Sequence, residues 1–155
     1  MSMLSVNFQE SDDAGIAIED FDTLTPLAQD GCLLWMLARR HSGESLIIAT
    51  GQSDDVTFQA TQRLKNERAL AAYLSPRWAI TATGTTRYLN RYALIYPTFP
   101  FRSLANNLAT PPDKIADFLQ VALQLCYTLG QAHHQGIVHG DIKPGHFFIS
   151  DDGRF

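Results

Sequence analysis

The chain has 155 residues, of which 45% are apolar and 18% charged, with a formal net charge of −4 and no basic block. Those figures fit one ordinary soluble globular protein and point away from nucleic acid or an anionic membrane as the main partner. No run approaches the roughly 20 apolar residues that span a bilayer, and MSMLSVNFQESDDAG lacks the basic and apolar regions of a leader, so the cytoplasm is the expected location.

In chain order, residues 1–15 are polar and acidic and read as a loose N-terminal arm. FDTLTPLAQ and GCLLWMLARR predict two strands turning at Asp30-Gly31, and LIIAT a third after the HSGES turn. VTFQATQRLKNERALAAYL follows, with Asp54 or Asp55 able to cap it. It places Phe58, Leu64, Leu70, Ala71 and Leu74 near helical spacing and stops at Ser75-Pro76. RWAITATG and RYALIYP predict a second hairpin around TTRYLN, ended by Pro97 and Pro100. SLANNL predicts a short helix. PPDKIADFLQVALQLCYTLGQAHHQG predicts a long one, with prolines before its first turn and Gly136 at its end. Its apolar stripe is Ile115, Leu119, Ala122, Cys126 and Leu129. FFIS and DDGRF then read as a strand and turn whose hairpin partner is missing. Cys32 and Cys126 both lie in apolar runs and are expected to be buried free thiols, not a disulfide or a zinc site.

The order β-β-β-α-β-β, linker, α-α, loop, strand ends in IVHGDIKPGHFF, which holds an aspartate, a lysine and two histidines within residues 137–148. From about residue 24 onward the chain resembles the protein-kinase superfamily of Ser/Thr type. LIYPTFPFRSLANNL looks like the last N-lobe strand, the hinge and the helix after it. His139, Gly140, Asp141, Ile142, Lys143, Pro144, Gly145 and His146 fall on the pattern H-R-D-x-K-P-x-N. The resemblance implies an α+β fold in three stretches. These are the arm at 1–15, a kinase-like N-lobe at 16–97 with a five-stranded antiparallel sheet and one helix, and a partial, mainly helical C-lobe at 98–155.

The same resemblance assigns roles. Asp141 would be the base for the substrate hydroxyl, and Lys143 would contact the transferring phosphate. His139 is structural, and Glu67 matches the N-lobe helix glutamate. The strand lysine is replaced: LIIA puts Ala49 at its position, or Thr50 after a one-residue shift, and neither bridges phosphates. Ala28, Asp30 and Leu33 stand where the glycine-rich loop has glycines, with Gly31 between them. His146 stands at the metal-binding asparagine. Imidazole is a poor Mg²⁺ ligand, so His146 reads as a departure that lowers metal affinity and brings no new role.

ATP and Mg²⁺ are therefore the cofactors by resemblance, with binding weak or absent. The metal-binding Asp of D-F-G would follow Phe155, which makes the chain a truncated kinase-like domain and leaves the stripe of the long helix without its usual cover. A protein partner, downstream domains of a larger signalling protein, or a second copy would supply that cover. The expected function is that of a pseudokinase-like regulatory module. The alternative is a fragment of an active Ser/Thr kinase. The third reading is a small-molecule phosphotransferase, because Gly140 and Pro144-Gly145 also resemble the H-G-D-x-x-P-G-N loop of aminoglycoside and choline kinases.

Overall fold

Short apolar runs separated by turns between Phe21 and Gly51 lay down three consecutive strands in the computed structural model, which describes residues 21–98, 101–107 and 115–150. The arm at 1–15, Pro100, PPDK and DDGRF lie outside the described residues. Strands β1 (Phe21–Asp30), β2 (Leu33–Arg40) and β3 (Ser45–Gly51) precede helix α1 (Thr57–Leu70). Then come β4 (Gly84–Tyr88), β5 (Arg91–Pro97), β6 (Phe101–Ser103), α2 (Leu104–Asn107), α3 (Ile115–His134) and β7 (Phe148–Ser150). The fold is α+β. Two compact units divide it, one taking 21–65 and 82–96 and the other 66–81 with the described residues from 97 onward. None of the described helices is long and apolar enough to cross a membrane.

The first unit is built on a five-stranded antiparallel sheet in the order β1-β2-β3-β5-β4. The β2–β3 register pairs Met36 with Ile48 and Ala38 with Leu46, so these side chains share a face. There Met36, Ala38, Ile48 and Ala93 form a buried cluster with Phe21, Leu24, Leu34 and Tyr88 packed against it. The odd-numbered residues of β2 and β3 point to the other face, where Trp35 pairs with Ala49 and Leu37 with Ile47. Both faces are apolar, which is why these strands read as near-continuous hydrophobic runs.

Several sequence expectations shift by a turn or a strand. The first hairpin turns at Gly31-Cys32 instead of Asp30-Gly31. The segment after α1 is not a strand at RWAIT: the Trp78 and Ala79 amides both donate to the Ser75 carbonyl, at 3.0 and 2.9 Å, and fold it into a turn. The strand begins only at Gly84, so most of TTRYLN is β4 and the turn is Leu89-Asn90. Both turn residues have positive φ, 47° and 62°, the geometry that matches the twist of a two-residue hairpin. No glycine marks this turn, so its sequence signal is only Asn90.

Of the expected stripe, helix α1 buries Leu64, and it buries Ala60 beside it, which the stripe did not include. Phe58 is 78% exposed and Leu70 is exposed too. Each lies six positions from Leu64, about 240° around the helix, so neither can share its face. Ahead of the helix, Asp54–Val56 form a single 3-10 turn with Ser53 as the N-cap, and the Thr57 hydroxyl donates to the Ser53 carbonyl at 3.0 Å.

In the second unit, β7 takes an upstream partner, while the hairpin turn expected at DDGRF lies outside the described residues. Strand β7 pairs antiparallel with β6, Phe101 opposite Ser150 and Ser103 opposite Phe148. The three-residue β6 escaped notice because it follows directly on the prolines of the linker. Along α3 only Ala132 is buried, and Ile115, Phe118, Leu119, Leu123 and Tyr127 are exposed. The same face exposes Cys126, and Cys32 is half-buried, so both are free thiols but neither is the buried one expected.

Candidate functional site

The loop that carries Asp141 begins where α3 ends, and the ending is set by one residue. Gly136 has a φ of 72°. Its amide donates to the His133 carbonyl at 2.9 Å, and the Ile137 amide donates back to Ala132 at 2.9 Å. This is a Schellman closure, which a side chain at the left-handed position would strain. It turns the chain out of the helix into Ile137, Val138 and His139. Gly140 follows with a φ of 75°, again a conformation suited to glycine. The kinase pattern that this loop resembles has arginine there, and this backbone would strain it.

Four sequence-predicted residues come together in the next few positions. The Asp141 amide donates to His139 Nδ1 at 3.3 Å. Lys143 Nζ lies 3.2 Å from Asp141 Oδ2. His146 Nδ1 lies 2.8 Å from the Asp141 carbonyl oxygen and 3.6 Å from its carboxylate. The His139 and His146 rings are 5.6 Å apart. Pro144–His146 form one 3-10 turn, closed by the His146 amide on the Lys143 carbonyl at 2.9 Å. The loop is then pinned by Phe147, which the sequence reading placed in the strand FFIS and which lies just before β7. Phe147 is buried, stacks on His139 with centroids 6.3 Å apart, and accepts the Leu104 amide at 2.8 Å on its carbonyl.

The chemistry available here is a carboxylate and an ammonium side by side at the surface. The Asp141 side chain is 57% exposed, so its ion pair with Lys143 is worth at most about 1 kcal/mol and opens readily to a ligand. The backbone bonds of Asp141, not that pair, hold its place.

The other expected positions lie elsewhere. Glu67 sits half-buried near the end of α1, in the second unit. Ala49, Thr50 and Asp30 lie in the first unit. Ala49 has 0% exposure, and its β2 partner Trp35 packs on Tyr96 of β5 with centroids 5.2 Å apart. Because β3 lies between β2 and β5, that ring pair crosses β3 on the face to which the Ala49 methyl points. Thr50 is also fully buried, and its hydroxyl donates to the Tyr92 carbonyl at 3.2 Å. At the turn of the first hairpin, Asp30 Oδ2 accepts from Arg63 of α1 at 2.8 Å. Sequence reasoning missed Arg63, which is 33 positions from its partner.

Taken one by one, the residues that the kinase resemblance assigns to Mg-ATP are chemically unlike that pattern: Ala49 is an enclosed methyl, Asp30 a carboxylate, and His146 an imidazole whose Nδ1 faces a carbonyl. Among the described residues, no group of three or more His, Cys, Asp or Glu is placed to hold a metal ion. No protein-family model matches the chain, and no curated protein matches its sequence.

Proposed function

We propose that the chain is a protein-kinase-like domain, impaired in nucleotide handling, that serves in the cytoplasm as a regulatory module binding a protein partner within a signalling protein. The order of elements and the loop from His139 to His146 support the kinase-like part. The observation that carries the impaired part is Ala49. The residue at the strand lysine position is fully enclosed on a face crossed by an aromatic pair, so it presents no cation and no opening for one.

The experiment is thermal unfolding of the chain with and without millimolar Mg-ATP. A ligand that binds the native state at a hundred times its Kd stabilises it by about 2.7 kcal/mol, a rise of several degrees. The expected result is an unchanged midpoint; a rise of that size counts against the reading. Asp141 and Lys143 at 3.2 Å favour a second reading, an active Ser/Thr-type phosphotransferase. Phosphate transfer from Mg-ATP to a protein acceptor in the same samples would favour it over the first.

A further inference from the structure

We propose that His146 is a positioning residue: its Nδ1–H closes the 139–146 loop on the Asp141 carbonyl, setting Asp141 and Lys143 in place without a divalent cation. The direction of the bond follows from the partners. A main-chain carbonyl can only accept, so at 2.8 Å from it His146 Nδ1 must carry hydrogen. His139 works in the opposite sense. The Asp141 amide can only donate, so His139 Nδ1 at 3.3 Å must be bare, and in the neutral ring the proton sits on Nε2. Two imidazoles of opposite tautomer thus grip the two main-chain groups of one residue.

The clasp is built, not incidental. The His146 side chain is only 16% exposed. Its backbone is fixed by the Pro144–His146 turn on one side and by buried Phe147 on the other. The arrangement also accounts for the poor fit to a metal. Nδ1 is the ring nitrogen placed near the Asp141 carboxylate, at 3.6 Å from Oδ2. A cation held between those two atoms would have to displace the Nδ1 proton and break the bond to the carbonyl. His146 therefore has a role of its own, in place of the one its position suggested. The role does not depend on nucleotide binding, and its test is separate from the Mg-ATP experiment.

That test is the tautomer of each ring, read from two-bond ¹H–¹⁵N correlations of the ¹⁵N-labelled full chain at neutral pH. The expected pattern is Nδ1–H for His146 and Nε2–H for His139, with ring and Asp141 amide signals unmoved by millimolar MgCl₂. Three variants go with it. Asparagine puts an N–H donor the same number of bonds from the backbone as Nδ1, whereas glutamine reaches one atom further and leucine donates nothing. His146→Asn should keep the amide protection of residues 139–147. His146→Gln and His146→Leu should speed exchange there by about 2- to 12-fold, the value of one ordinary hydrogen bond. An Nε2–H tautomer at His146, a shift of its ring signals with MgCl₂, or glutamine protecting as well as asparagine would each overturn the proposal. If the leucine variant does not fold, the wild-type tautomer and the asparagine–glutamine comparison still decide.

Discussion

Ala49 shows how much one methyl group can settle. Its identity was legible in LIIA, but its enclosure was not, because burial depends on Trp35 and Tyr96 meeting across β3. A lysine at this position would have to push an ammonium into that face or distort the ring pair. Ala49→Lys is expected to lower stability by at least about 3 kcal/mol in urea denaturation, and to restore no affinity for ATP. A variant as stable as the wild type that gained nucleotide binding would show that the position is open. Asp141 and Lys143 were the most legible pair. They sit two positions apart in a contiguous motif, so no long-range fact was needed to bring them together. Gly140 was noted only for its resemblance to the H-G-D loop, and its conformation became visible only in the backbone, at a φ of 75°.

At the scale of elements, the first hairpin and α1 illustrate what spacing can and cannot reveal. Apolar runs bounded by turn residues located β1 to β3 to within a residue or two. Alpha-helical spacing located α1 but misplaced its buried face, because Phe58 and Leu70 were grouped with Leu64 across an interval that does not return to the same side. The link between the hairpin and α1 was invisible in one dimension. Asp30 and Arg63 fasten the turn to the helix at 2.8 Å, with both side chains partly exposed. A double-mutant cycle on Asp30→Ala and Arg63→Ala should give a coupling of about 0.5–1 kcal/mol, reduced in 1 M salt. A coupling indistinguishable from zero at low salt would mean that the turn is held by its backbone alone.

On the scale of the whole molecule, α3 stands out as a 20-residue helix with a single buried residue, Ala132. Its length was read correctly from its prolines, its glycine and its apolar stripe; the degree of cover on that stripe was not a property of the helix's own sequence. Leu123 is 70% exposed, so Leu123→Glu should change unfolding stability by less than about 0.5 kcal/mol and weaken binding of an apolar dye. A loss of 2 kcal/mol or more would place Leu123 in a packed core. The β6–β7 ladder has a consequence in time as well as in space. It joins Phe101 to Ser150, so the whole of α3 is the interior of a closed ring of chain. Closing a ring of that length is an entropic step that local helix formation does not require. The helix can form early and by itself. The loop of His139, Asp141, Lys143 and His146 acquires its anchor, the Leu104–Phe147 bond beside the ladder, only when the distant ends meet. Loosening three residues at β6 therefore unties the loop at the far end of the ring while leaving α3 wound.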